Sequence, residues 1–374
     1  MAKGTRLESV RGESLRGFKS HPFRQRRRGW RLDGGSHDRP DRAPHGAVAS
    51  RLLPVAGWLV CAGWFFRAPL FSGFVRVHGD PGDTRLIATL REHWWSVLRG
   101  RSSWGDPDFF HPWSGVLGYS DTFLLESVVF VPWRLLGAEP LLAAQLTVIT
   151  LSAVGFAGWW VFLGRLGLAD RPWTRLGLTA LATFPHQLAQ QVFHQQLLSA
   201  WWLPWTLVLG HVAWGATSAR RRVLGGSSAG LTWGLVLSST VYMGWFVLFV
   251  VGLLVLVLVI GELTAGRVRA AALLVRQQSA AVGAALVGFV VGLVPFAVVY
   301  LPVLGDRGQR PYWAVAHFGP RPFDLVNTGG GNLLWGWVLH RVVPGDARRL
   351  DNIEVAMAVS PFLLLVAGVV WWRM

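Results

Sequence analysis

Two apolar runs, Trp245–Ile260 and Ala280–Leu301, limit what this chain can fold into more than any other feature. A helix rises about 1.5 Å per residue, so runs of roughly 18 or more apolar residues can cross a hydrocarbon core about 30 Å thick. The composition agrees. Of 374 residues, 52% are hydrophobic, 22 are Trp and only 15% are charged, which is too apolar for an ordinary soluble domain. The chain is therefore expected to be an all-α, polytopic transmembrane helical protein.

The net charge of +16 raises the question of nucleic acid, and its distribution answers it. Residues 1–51 hold 13 Lys and Arg against 5 Asp and Glu, half of the net charge, and the remainder sits in short loops such as Arg220–Arg222. That is the bias of cytoplasmic loops, with no basic stripe interleaved with aromatics on a soluble fold, so no nucleic-acid partner is expected. Residues 1–51 lack hydrophobic periodicity and read as a disordered basic cytoplasmic arm. Arg24, Arg26, Arg27 and Arg28 suit contact with anionic lipid, but a solvated tail or a mis-assigned start codon is the preferred reading. The arm lacks the early apolar core of a signal peptide. The single cysteine, Cys61, can form no intrachain disulfide.

The remaining residues, 52–374, form the membrane domain, and loop charge sets the direction of each crossing. Leu52 to about Phe71 leads out, with Arg67 near its outer end able to snorkel, and the loop 72–120 lies outside. Arg165, Arg171 and Arg175 mark the following inner loop, so an odd number of crossings is required before them. The simplest solution makes Asp121–Trp133 a half-length or re-entrant helix lining a cavity, and Leu141–Leu163 the span. Leu176–Ala189 then leads out, Gln190–Gln196 turns, and Leu198–Trp214 returns to Arg220–Arg222. Leu224–Ser239 and Trp245–Ile260 form the next pair. Ala280–Leu301 leads to a second outer loop, 302–354, and Val355–Trp372 returns. The expected total is about eight spans plus one re-entrant or interfacial element.

The outer segment gathers Asp80, Asp83, Glu92, Asp106, Asp108, Asp121 and Glu126. Carboxylates concentrated on one side of a bilayer serve as bases, metal ligands or anchors for sugar hydroxyls. Asp80-Pro81-Gly82 reads as a tight turn that fixes a carboxylate at the surface, and Asp83 stands where an N-cap would explain it as well as catalysis. Downstream, Leu86, Leu90, Trp94 and Val97 recur on one face while Arg85, Thr89, Glu92 and Ser96 recur on the other, the spacing of an interfacial helix. Glu92, His93, Asp106, Asp108 and His111 are donor types suited to a divalent cation, although their spacing fits no recognised metal motif. Sugar-hydroxyl contacts beside stacking surfaces from Trp104, Phe109, Phe110 and Trp113, and plain solvated charge, are the other readings. Asp121 joins the substrate-binding candidates.

Two further clusters lie outside. His194 sits with His186, Gln190, Gln191, Gln195 and Gln196 in the polar turn between spans. The loop 302–354 carries Arg307, Arg310 and Arg321 against the positive-inside bias, a reason to assign them to bidentate phosphate recognition or to anionic lipid headgroups. Its Gly329-Gly330-Gly331 run lacks the Gly-Lys-Ser/Thr of a phosphate loop.

The order Gly-Asp-x-Gly-Asp, a helix ending in Glu-His-Trp-Trp, then Asp-x-Phe-Phe-x-Pro and Tyr-Ser-Asp resembles the first extracytoplasmic loop of bacterial membrane proteins related to the GT-C glycosyltransferases. The resemblance covers this loop well and the later helices by pattern. It implies a bacterial inner-membrane enzyme that moves a sugar from a polyprenyl-phosphate donor to an extracytoplasmic glycan, lipid or protein acceptor. Asp80, the first Asp of the motif, would be the base, and Asp83 and Glu92 would orient the acceptor or a cation. His194 matches a His-bearing turn of the family. A single base without a carboxylate nucleophile implies inversion at the anomeric carbon. Family members continue with further helices, so a shortened or non-catalytic member is a second reading of the end at Met374. A lipid or glycan transporter or flippase is the main rival from another class, and it would want charged or broken helices at mid-membrane depth, whereas the acids here cluster at the interface.

Overall fold

The computed structural model describes residues 44–307, 311–313, 316, 321–330, 332, 335–342 and 356. Two compact units divide the chain, Met1–Pro44 and His45–Met374, and the described residues fall almost wholly in the second. The arm at 1–43, Arg310 and nearly all of the expected span Val355–Trp372 lie outside the described residues.

Every regular element among the described residues is helical. In chain order the α-helices are α1 (Pro44–Phe65), α2 (Arg67–Phe71), α3 (Pro81–Leu98), α4 (Leu124–Leu135), α5 (Pro140–Leu163), α6 (Pro172–Thr183) and α7 (His186–Gln190). There follow α8 (Leu203–Gly215), α9 (Ala219–Ser239), α10 (Val241–Thr264), α11 (Val268–Gln277), α12 (Ser279–Gly292), α13 (Val294–Arg307) and α14 (Gly336–Val342). By length and composition two helices can cross a membrane, Pro140–Leu168 and Val241–Thr264, and α12 with α13 forms a third candidate bent by 49°. On α10 only Gly244 is buried, and the side chains from Phe249 to Ile260 stand exposed, a surface that lipid would cover.

The closest packing joins α9 to α12. Gly226, Gly230 and Gly234 recur every fourth residue on α9 and meet Gly288 and Gly292 of α12. Added Cβ atoms at Gly226 and Gly230 would collide with the carbonyl oxygens of Ala281 and Ala285, and one at Gly292 would lie 2.7 Å from that of Leu231. Small residues at four-residue spacing let helix backbones touch, the packing that holds helices together in lipid. Residue numbers rise together along both helices, so α9 and α12 run parallel. The intervening α10 therefore carries the chain back along their length.

Hydrogen bonds fix what lies at each end. At one end Ser238 Oγ donates to Gly292 O at 2.7 Å, Thr122 Oγ1 donates to Ser238 O at 2.7 Å, and Tyr300 Oη donates to Ser120 O at 2.8 Å. At the other end Arg222 Nη1 donates to Gln277 O at 3.0 Å and Gln278 Nε2 to Trp214 O at 3.2 Å. Loop 120–123 thus sits at one end of the helices and the Arg220–Arg222 turn at the opposite one.

Several elements differ from the sequence pattern. The expected span Leu176–Ala189 is interrupted after Thr183, where Phe184 and Pro185 separate α6 from α7. Proline lacks the N–H that would continue the helix. The run Ala280–Leu301 bends at Leu293, between Gly292 and Pro295. On α3 the buried face is Ile87, Leu90 and Trp94, with Leu86 exposed, and the wholly buried Arg91 lies beside it. α4, by contrast, has the half length expected of this stretch, 12 residues or about 18 Å, too short to cross a bilayer by itself.

Candidate functional site

The acidic outer segment does not form one site. Asp80, not Asp83, is the N-cap of α3: its Oδ2 accepts from Gly82 N at 2.6 Å and Asp83 N at 3.0 Å. Pro81 follows at the first helical position, where its missing N–H costs nothing. Asp83 is exposed in the first turn, where a carboxylate favours the positive end of the helix dipole. Glu92 lies twelve residues beyond Asp80, roughly 18 Å along the axis. The carboxylates that crowd together in sequence are separated by the helix that connects them.

At the far end of α3 the polar face becomes the wall of a cleft. Arg85, Thr89, Glu92 and Ser96 line it together with His93, facing Asp108 of the loop and Pro140 and Leu141 at the start of α5, around a volume of about 340 Å³. Glu92 is held there by Arg134 of α4, with Nε at 2.8 Å from Oε2 and Nη2 at 3.0 Å from Oε1. The loop is folded over by Asp106, which accepts from Ser103 Oγ at 2.7 Å and Gly115 N at 2.5 Å, bonds that hold its carboxyl below the usual range.

His93 is the imidazole in this cleft. Its Nε2 is 3.1 Å from the carbonyl oxygen of Trp104. A carbonyl only accepts, so Nε2 carries the proton and the neutral ring presents a lone pair at Nδ1. Among the described residues Nδ1 has no hydrogen-bond partner, and the atom itself is buried. Burial pushes the imidazole pKa down, opposed by the Trp104 bond and by Asp108 and Asp106, so the ring is neutral at physiological pH. A neutral imidazole with one nitrogen fixed by a carbonyl and the other free has the form of a general base.

Beneath the cleft lies a buried polar brace that the sequence pattern did not mark. Arg91 Nη1 donates to Gln195 Oε1 at 3.3 Å, and its guanidinium lies 5.4 Å from the Phe123 ring centre. Gln195 Nε2 donates to His78 O and Thr84 Oγ1, both at 3.1 Å. Glu126, also fully buried, accepts from Ser199 Oγ and balances the arginine's charge. The brace ties α3 to the 3-10 helix Gln195–Trp202 and to α4. A charged group at this depth survives only when paired and hydrogen-bonded.

The other sequence candidates occupy three further places. His111 joins Phe110, Trp113 and Tyr119 around an aromatic concavity of about 460 Å³. His194 lines a third cleft, about 470 Å³, with Gln187, Gln191, Gln196, Tyr242 and Phe246, and its Nδ1 accepts from Gln196 Nε2 at 3.4 Å. Asp121 Oδ1 accepts from Val241 N at 2.8 Å, so it caps α10, and burial raises its pKa to about 6. Arg321 lies at the start of a short 3-10 turn whose continuation docks on the His194 turn, His186 Nε2 standing 2.8 Å from Thr328 O. Arg307 ends α13, and Arg310 is outside the described residues. Among the described residues no three His, Cys, Asp or Glu side chains converge as a metal-binding set.

No protein-family model, no curated protein and no solved structure matches this chain. Function therefore has to be argued from the geometry and from the resemblance of the outer loop.

Proposed function

We propose that the chain is a GT-C-type bacterial inner-membrane protein with about eight crossings that transfers a sugar from a polyprenyl-phosphate donor to an extracytoplasmic acceptor. The observation that carries this reading is His93, a neutral imidazole lining a cleft beside the start of the apolar helix α5, with a buried Nδ1 that has no partner among the described residues. In this reading acceptor binding uncovers Nδ1, which takes the proton of the acceptor hydroxyl. The acceptor oxygen bonds to the anomeric carbon as the carbon–phosphate-oxygen bond breaks, and the electron pair leaves on the phosphate. One displacement inverts the anomeric centre. Arg85, in the same wall, supplies positive charge for the departing phosphate. Asp108 orients the acceptor hydroxyls.

This reading prefers His93 to Asp80 as the base, since Asp80 lies at the opposite end of α3 with its Oδ2 engaged in the helix cap, although its Oδ1 is not part of that cap. The count of crossings is supported by α9, whose 21 residues span about 31 Å although its arginines and glycines dilute its hydropathy. A flippase is the second reading, favoured by one observation, the charged Arg91 and Glu126 buried between helices.

The test is sugar transfer by purified protein in nanodiscs from a panel of polyprenyl-phosphate sugars, comparing wild type, His93→Gln and Asp80→Asn. Transfer lost in His93→Gln and retained in Asp80→Asn is the expected pattern. Loss in Asp80→Asn alone returns the base to Asp80. No transfer by the wild type, with the lipid carrier still bound, favours the flippase.

A further inference from the structure

We infer that α11, together with the arginines in the first turn of α9, is a binding surface for anionic lipid headgroups. α11 has 10 residues, about 15 Å, and joins the apolar α10 to α12 at the end of the helices opposite loop 120–123. It is too short to cross a bilayer and is placed where a bilayer surface would be. Its sequence, Val-Arg-Ala-Ala-Ala-Leu-Leu-Val-Arg-Gln, is strongly two-sided. Arg269 and Arg276, two turns apart, share one face, and Val268, Leu274 and Val275 share another. All five side chains are exposed. Among the described residues nothing covers the apolar face, and the cations stand beside it.

The neighbouring turn adds to the same charge. Arg222 Nε donates to Ala216 O at 2.9 Å and its Nη1 to Gln277 O at 3.0 Å, so the arginine turn is bonded directly to the last turn of α11. Arg220 and Arg221 beside it are exposed. Between residues 203 and 305 the sequence has one acid, Glu262, and that acid is spent on Arg267, whose Nε and Nη2 each lie 2.8 Å from its carboxylate. Arg220, Arg221, Arg222, Arg269 and Arg276 are left as net positive charge on this end of the molecule. A soluble polyanion would satisfy the cations and leave the apolar face in water. An anionic lipid surface meets both, phosphate at the arginines and acyl chain at the valines and leucine.

This surface is at the opposite end of the helices from loop 120–123, so its test is independent of sugar transfer. Full-length protein would be reconstituted in nanodiscs of phosphatidylcholine with and without phosphatidylglycerol. Lipid retained after mild detergent extraction would be counted by native mass spectrometry. Wild type is expected to retain phosphatidylglycerol over phosphatidylcholine, and Arg269→Gln/Arg276→Gln to reduce that preference by roughly an order of magnitude. Arg269→Lys/Arg276→Lys should keep it, as should Arg99→Gln/Arg101→Gln on α3's far side. Arg220→Gln/Arg221→Gln is a second route to the same loss if the α11 variant fails to assemble. Equal retention of the two lipids by wild type, or an unchanged preference in both glutamine variants, overturns the inference.

Discussion

Arg134 grips both oxygens of Glu92 and thereby fixes α4 against the cleft face of α3. The pair is half-buried, so removing one partner leaves the other poorly solvated. Arg134→Gln is expected to lower stability by about 1–3 kcal/mol. The double variant with Glu92→Gln should lose less than the two single losses added together. Denaturant titration in detergent measures both, and simple additivity would show that the contact carries no coupling.

The state of His93 gives a pH signature. Its folded pKa lies below the ordinary 6.5, so the basic form persists as the pH falls through 6.5 and is lost only further down. Transfer should follow that acid limb, and His93→Gln should reduce it by about 10²–10⁴-fold. Nitrogen chemical shifts of His93 report the same titration without relying on activity.

Stability should fall in mild acid because of His78. Its ring stacks near Phe65 and Phe66, with centroids at 5.0 and 4.9 Å, and burial drives its pKa from 6.5 to about 4. Between those values the unfolded chain binds the proton that the folded ring refuses. Stability present above pH 6.5 is therefore lost towards pH 4, by about 3 kcal/mol in total. Asp121 acts in the opposite sense between its ordinary 3.8 and about 6, because its folded form keeps the proton. Relative to pH 7, the melting temperature at pH 5 should rise in His78→Asn and fall in Asp121→Asn.

The glycine seam should be intolerant of bulk. Gly230→Val drives a side chain into the α12 backbone and is expected to cost at least about 1–3 kcal/mol. Gly252→Val on α10, where nothing lies within 4 Å of an added Cβ, should be close to neutral. Comparing the two in thermal melts separates packing from a general effect of replacing glycine.

Asp80 separates capping from catalysis. Asparagine caps about as well as aspartate, so Asp80→Asn should keep stability while Asp80→Ala loses about 1 kcal/mol. Similar stability losses in both would mean that the carboxylate charge, rather than the cap, holds this end of α3.

What the sequence made legible were the features carried by local pattern. The run at 245–260 is the middle of α10, and the polar period of Arg85, Thr89, Glu92 and Ser96 is the cleft wall. The Asp80 cap was readable from the Pro81 that follows it, but the second aspartate, Asp83, drew the helix start three residues too far along. Arg91 was not readable. An arginine within a helix looks solvent-facing until Gln195, more than a hundred residues away, arrives to receive it. The glycine spacing at Gly226, Gly230 and Gly234 was present throughout, and its meaning depended on knowing which helix it would touch.

That seam also sets a distance. Backbone against backbone, α9 and α12 can exchange alignment only by jumping from one glycine to the next, about 6 Å at a time. Ser238 grips Gly292 across the seam and Thr122 grips Ser238 in turn, so the loop inherits the alignment. The glycines act as the notches of a ruler, and they fix how far the polar loop stands from the arginine end as a countable step rather than a continuous adjustment.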